Sequence, residues 1–245
     1  MSTASIRTRA LTRRFGSFTA VDGIDVEVHQ GEIYGFLGAN GAGKTTAMRM
    51  LCGLLAPTSG EGTVAGFDIL RETAKIRTRI GYMSQRFSLY TDLTVGENLS
   101  LCADLYLVPL ADRSRLVREA VVRAGIADLL KRRTGDLPWG WQQRLSLACA
   151  TVHRPAILFL DEPTGSVDPL SRRAFWDLIR SEAAAGTTIF VTTHYMDEAE
   201  SCDRACFLVD GRVADLGTPG ELRKRHRVSS LQEVFLALAR QARRS

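Results

Sequence analysis

The sequence predicts an α/β fold built on a mostly parallel sheet, and three observations carry that expectation. Short apolar runs rich in β-branched and aromatic residues recur along the chain, with stretches of helical period between them. Three of the runs, IYGFLG, ILFLD and TIFVTT, are apolar almost throughout, the pattern of strands covered on both faces. A glycine-rich stretch, GANGAGKT, lies directly between one of these runs and a helical segment, where an α/β sheet is placed to receive phosphates.

In chain order, strands are expected at 21–28, 32–38, 79–84, 156–161, 187–194 and 205–213. Helices are expected at 44–55, 95–108, 112–126, 142–153 and 169–186, from the helical return of apolar side chains. Residues 86–155 carry almost no strand signal, so they read as a helical subdomain inserted in a domain of residues 1–220. The segment 229–244 opens on serines and runs in helical period, which makes residues 221–245 a basic tail ending in a helix.

Composition narrows the function classes. The chain has 245 residues, 45% hydrophobic and 24% charged, with a net charge of +5. No apolar run reaches the roughly 18 residues that a membrane-spanning helix needs. No apolar stretch follows the N-terminal basic residues, so a secretory signal is not expected there. Five cysteines without such a signal point to reduced thiols in the cytosol. Neither a CxxC pair nor a histidine pair completes a zinc site beside Cys202 and Cys206. The basic excess gathers in LRKRHR (222–227) and the closing QARRS, without interleaved aromatics. That fits a solvated tail near anionic lipid or a protein partner better than a nucleic-acid surface.

The stretch Gly38, Ala39, Asn40, Gly41, Ala42, Gly43, Lys44, Thr45 matches G-x-x-x-x-G-K-[ST], and Thr46 follows it into the helix. The pattern predicts a P-loop NTPase core. Gly38, Gly41 and Gly43 let the backbone turn its N–H groups inward on phosphate oxygens, and the following helix adds the positive end of its dipole. Lys44 supplies a point charge and Thr45 a hydroxyl for Mg²⁺. At the end of ILFLDE, Asp161 fits a Mg²⁺ ligand, and Glu162, beyond the strand end, fits a base for an attacking water. His194 ends TIFVTTH at the carboxyl edge of the sheet, where α/β ligands bind.

GANGAGKTT, Gln85 in GYMSQRFSLYTDLTVGENL, LPWGWQQRLSLACA, ILFLDEPTGSVDPLSRR and TTHYMDEAE follow in an order that resembles the ATP-binding subunit of an ABC transporter. The tail SSLQEVFLALAR and the EPTGSVDP run look most like exporters of the ABC-2 type, including drug-efflux systems. The resemblance implies an N-terminal antiparallel β part beside the P-loop core, and binding and hydrolysis of ATP with Mg²⁺. It also implies a separate membrane permease as partner, and a place at the cytoplasmic face of the membrane. It implies that Phe15 stacks on adenine, that Gln85 touches Mg²⁺ and the attacking water, that Glu162 is the general base and that His194 senses the γ-phosphate. The surface from Gln85 to Thr94 would dock the permease. Two such domains would close head to tail over two ATP molecules, as a homodimer or with a paired ATPase domain, and Asp168 would lie in the loop crossing to the partner.

One motif departs from the family. Its signature loop, Leu-Ser-Gly-Gly-Gln, becomes Leu137, Pro138, Trp139, Gly140, Trp141, followed by Gln142. The replaced serine would bond the γ-phosphate held by the opposite chain, and proline has neither hydroxyl nor N–H. Three readings stay open. The loop still closes on ATP through backbone groups and the helix dipole; or this half-site is degenerate and the chain pairs with an intact one, or acts in a regulatory role; or both tryptophans are core of the helical subdomain.

Overall fold

The computed structural model describes residues 4–85, 87–165 and 167–242. Arg86, where the expected helical subdomain begins, Ser166 in the EPTGSVDP run, and the closing 243–245 of the basic tail lie outside the described residues.

The chain opens with an antiparallel sheet. Strands β1 (Ala4–Phe15), β2 (Phe18–Ile24), β3 (Glu27–His29), β5 (Ser59–Val64) and β6 (Phe67–Asp68) form it, with β1 pairing β2, β3 and β5. The second sheet has six strands in the order β11-β10-β4-β9-β8-β7. These are β4 (Ile33–Leu37), β7 (Ile80–Met83), β8 (Ile157–Asp161), β9 (Thr188–Thr193), β10 (Arg204–Val209) and β11 (Arg212–Gly217). All neighbours are parallel except the β10–β11 hairpin.

Helix α1 (Lys44–Leu51) lies between the two sheets. Its Ala47, Met48, Met50 and Leu51 share one core with Ile6, Val21 and Val64 of the first sheet and Tyr34, Phe36 and Phe159 of the second. On the other face of the parallel sheet, Phe175, Trp176 and Ile179 of α6 (Pro169–Ala184) pack on Leu158, Leu160, Ile189 and Val191. Helix α2 (Thr73–Arg79) leads into β7. Between β7 and β8 come α3 (Val95–Leu105), α4 (Leu110–Ala124) and α5 (Trp139–Thr151), with a core of their own around Leu99, Ala120 and Leu145. The single turn α7 (Met196–Ala199) follows β9, and α8 (Pro219–His226) and α9 (Leu231–Ala242) pack Leu222, Leu231 and Val234 against Phe207.

Several expected elements shift. The run 21–28 is two strands, because the chain breaks between Ile24 and Glu27 to carry β3 onto the other half of β1. The run 205–213 is a hairpin, turned at Asp210 and Gly211, both of positive φ. β1 carries arginines on its exposed face, and β5 is SGEGTV, so neither shows a long apolar run. Helix α5 begins at Trp139 rather than Gln142, which brings both tryptophans into its first turn. In the basic tail, Arg223 pairs with Glu200, and Arg225 and His226 with Asp215. Two of the tail's arginines are therefore paired with carboxylates on the fold.

Candidate functional site

The glycine-rich loop joins the end of β4 to α1, at the carboxyl edge of the parallel sheet. Gly43 has φ +104°, and a Cβ there would stand 2.3 Å from the Ala20 carbonyl oxygen, so no other residue fits without moving backbone. Gly41 also has positive φ, +83°, but has open space on the Cβ side. Ala39 and Asn40 are exposed at the turn, while the Ala42 N–H is taken by the Ala39 carbonyl. Lys44 is buried, and its ammonium donates to the Gly38 carbonyl at 2.9 Å and the Ala39 carbonyl at 3.1 Å.

Adjacent strand ends bring the carboxylates to this loop. The Thr45 hydroxyl donates to Asp161 Oδ1 at 3.1 Å, and Thr192 donates to the same oxygen at 2.7 Å. Burial raises the Asp161 pKa, and those two hydroxyl bonds work against the rise. Glu162 leaves the strand with φ +48°, a left-handed conformation unusual for a side-chain-bearing residue. Its N–H is held by the Thr192 carbonyl at 3.1 Å and the Thr192 hydroxyl at 3.0 Å. The kink aims the Glu162 carboxylate at Lys44 (3.1 Å), Gln85 Nε2 (3.1 Å) and His194 Nδ1 (3.0 Å).

Phe15 is 46% exposed, so it is not core, and the Arg13 guanidinium lies 4.6 Å over its ring. With Phe18, Lys44, Thr45, Gln85 and Glu162 it lines a cleft of about 380 Å³ that also takes in Thr46. The fold thus brings together the residues named from sequence on strands and loops far apart in the chain. Chemically, the cleft offers aromatic faces, the Lys44 cation and the oriented Glu162 carboxylate.

The LPWGWQQ stretch lies on a different surface. Pro138 is the N-cap of α5, and its carbonyl accepts from the N–H groups of Trp141 (2.9 Å) and Gln142 (3.2 Å). That leaves Trp139 and Gly140 as the first-turn donors without an intrahelical acceptor. Trp139 and Trp141 are 37% and 38% exposed, which overturns the reading of both as core. Trp139 meets the Phe87 ring at 6.0 Å, and the Arg144 guanidinium covers Trp141 at 5.1 Å. The Gln142 amide donates to the Thr134 and Leu137 carbonyls, within its own chain. Asp168 caps α6 by accepting from the N–H groups of Leu170 and Ser171 at 3.0 Å each, and it shares a cleft with the tryptophans.

Comparison with known proteins decides the family: the ABC transporter sequence pattern matches residues 21–165. The chain belongs to the ABC transporter family. It is similar to the probable multidrug ABC transporter ATP-binding protein YbhF of Escherichia coli (strain K12), 46% identical over 222 residues, covering 89% of this chain and 38% of that protein. The daunorubicin/doxorubicin resistance ATP-binding protein DrrA of Streptomyces peucetius is 40% identical over 222 residues, covering 90% of this chain and 67% of DrrA. The Nod factor export ATP-binding protein I of Burkholderia lata is 39% identical over 223 residues, covering 91% and 73%. The chain therefore spans well under half the length of YbhF and most of the other two. Among solved structures, an ATP-binding subunit of an ABC transporter superimposes with a TM-score of 0.85 at 26% identity, covering 95% of this chain and 98% of that one. The dimeric bacterial ABC cassette MJ0796 gives 0.78 at 26% identity, covering 87% and 98%.

This ABC chain has the P-loop NTPase fold. No helix among its described residues is long and apolar enough to cross a membrane. Thr192 was not singled out from sequence although it holds both Asp161 and the Glu162 backbone. In TIFVTT it looks like one more β-former, and only the sheet register, which pairs it with Asp161, exposes its role.

Proposed function

We propose that this ABC chain is an ATPase that powers export through a separate membrane permease, from the cytoplasmic face of the membrane. The observation that supports it most directly is the convergence of Lys44, Gln85 and His194 on Glu162 at 3.0–3.1 Å. In this reading ATP lies with adenine on Phe15 and its phosphates on the loop Gly38 to Thr46. Lys44 faces the phosphates. Glu162, kept oriented by its partners, takes the proton of the attacking water, and His194 contacts the γ-phosphate.

The donor set fits Mg²⁺. Thr45 and Asp161 offer hard oxygens 3.1 Å apart, and Mg²⁺ favours one or two protein oxygens plus phosphates over a protein cage. Bound there, the ion would neutralise phosphate charge, and Gln85 would stand beside it. The export direction, and a drug as one class of cargo, are supported by relatives named for multidrug transport, daunorubicin/doxorubicin resistance and Nod factor export; another small molecule, a lipid or a polymer falls within the same proposal. The surface from Gln85 to Thr94 is proposed to receive the permease.

Two copies are proposed to close over two ATP molecules, with Pro138, Trp139, Gly140, Trp141 and Gln142 of one facing the phosphate loop of the other, and Asp168 at the crossing. Exposure of both indoles and the free N–H groups of Trp139 and Gly140 favour a working loop. The missing hydroxyl at Pro138 favours the second reading, in which this chain pairs with an intact ATPase domain. Size-exclusion chromatography of Glu162→Gln with Mg²⁺ and ATP tests the choice. A nucleotide-dependent homodimer supports the first, and a monomer under those conditions overturns it.

A further inference from the structure

Glu198 is a buried carboxylate that the scheme above does not use. It sits in α7, four residues after His194, and is 3% exposed. One of its oxygens accepts a hydrogen bond from the Thr164 hydroxyl, and the other from the Thr193 hydroxyl at 2.6 Å. Thr164 stands two residues after Glu162, and Thr193 immediately precedes His194. A single carboxylate thus fastens the loop that carries Glu162 to the loop that carries His194.

A third loop joins through Arg172. Its buried Nε has no hydrogen-bond acceptor among the described residues and stands 3.6 Å from Glu198 Oε1, within ionic range but too long for a hydrogen bond. The same guanidinium lies 4.0 Å over the Tyr195 ring, which meets the His194 ring at 4.1 Å. The Arg172 N–H bonds back to the Asp168 carbonyl at 2.9 Å, in the first turn of α6. A buried carboxylate is unfavourable unless its oxygens are satisfied, so a turn that only needed packing would be served by an apolar side chain.

We infer that Glu198 is a positioning residue: it holds Glu162 and His194 in register and links both to the Asp168 loop through Arg172. The inference rests on the proposed roles of Glu162 and His194. It explains how the left-handed backbone at Glu162 is kept. Thr192 holds the entry to the kink, and Glu198, through Thr164, holds its exit.

The test compares the full chain as wild type, Glu198→Gln, Thr164→Val, Thr193→Val, Thr164→Ser and Thr193→Ser. The measurements are steady-state hydrolysis, Mg²⁺–ATP affinity by fluorescence titration, and thermal unfolding. Glutamine keeps the shape but can accept from only one hydroxyl and carries no charge for Arg172. Glu198→Gln should lower kcat about 10- to 100-fold, the scale of a misplaced reacting group, with ATP affinity held within about 2-fold. The valine variants should follow it, and the serine variants, which keep the hydroxyl, should stay near wild type. Wild-type turnover in Glu198→Gln overturns the inference. So does a loss of affinity and thermal stability in step with rate, with serine and valine variants equally impaired. A Glu162→Gln control that hydrolyses at the wild-type rate gives a different signature and overturns the underlying assignment of Glu162.

Discussion

Lys44 and Glu162 form a buried ion pair at 3.1 Å, with side chains 4% and 8% exposed, and its energy can be read without nucleotide chemistry. Removing one partner of a buried pair costs about 3–5 kcal/mol, because a charge is stranded away from water. In Lys44→Ala, Gln85 and His194 stay beside Glu162 at 3.1 and 3.0 Å, which puts the loss at the lower end, about 3 kcal/mol. For a chain of this size each kcal/mol moves Tm by about 2–4 °C, so a fall of about 6–12 °C is expected. Glu162→Gln leaves an amide oxygen for the ammonium, which also keeps the Gly38 and Ala39 carbonyls. Its cost should be about 1 kcal/mol. In the double variant no charge is stranded, so its loss should fall short of the sum by about 2 kcal/mol. Urea unfolding of the four proteins without nucleotide measures the coupling. Additivity to within about 0.5 kcal/mol would refute the pair as an energetic unit.

Glu162→Gln should retain ATP binding and lose turnover by about 10²- to 10⁴-fold, the range for a general base; equal steady-state rates would refute the assignment. In that variant, Mg²⁺ and ATP should reduce acrylamide quenching of tryptophan fluorescence, because Trp139 and Trp141 are exposed and Trp176 is already buried; quenching unchanged in a nucleotide-induced dimer would place the indoles outside the interface. Burial pushes the His153 ring down to about 4 from 6.5, against its hydrogen bond to the Ile80 carbonyl. The unfolded chain then takes up a proton that the folded chain refuses, so stability is full above pH 6.5 and falls as the pH drops toward 4. The loss from pH 6.5 to 5 should be about 2 kcal/mol, and His153→Phe should flatten that part of the urea-midpoint profile.

The parallel sheet was legible because its strands are buried on both faces and read as unbroken apolar runs. The antiparallel sheet was expected only through the family resemblance, since β1 and β5 face solvent on one side and carry Arg, Thr, Ser and Gly. The phosphate loop announced itself through glycines that the backbone requires: at Gly43 a Cβ would collide with the Ala20 carbonyl. Thr192, Thr164 and Glu198 gave no signal, because a threonine in a strand and a glutamate in a turn are ordinary residues. Their importance comes from register and from contacts between loops up to 34 positions apart, which single-sequence spacing does not encode.

The LPWGW loop is where local sequence and family pattern disagree, and the start of α5 at Trp139 bears on the proposed readings. Proline before the first turn of α5 supplies a fixed φ and gives up only an N–H that the helix would not use. The donors at Trp139 and Gly140 remain, with the helix dipole behind them. Flanking indoles would exclude water at a closed interface, and charge–dipole attraction strengthens as the local dielectric falls. In the proposed working loop, backbone donors take over from the serine hydroxyl. Under that account, Pro138→Ser adds a bond to a phosphate already held, and hydrolysis should change by less than about threefold. If the half-site is degenerate, the new hydroxyl is worth about 1.5–3 kcal/mol toward a charged group. Hydrolysis by the homodimer should then rise at least about tenfold, and that gain would transfer the assignment to a chain built to pair with an intact partner.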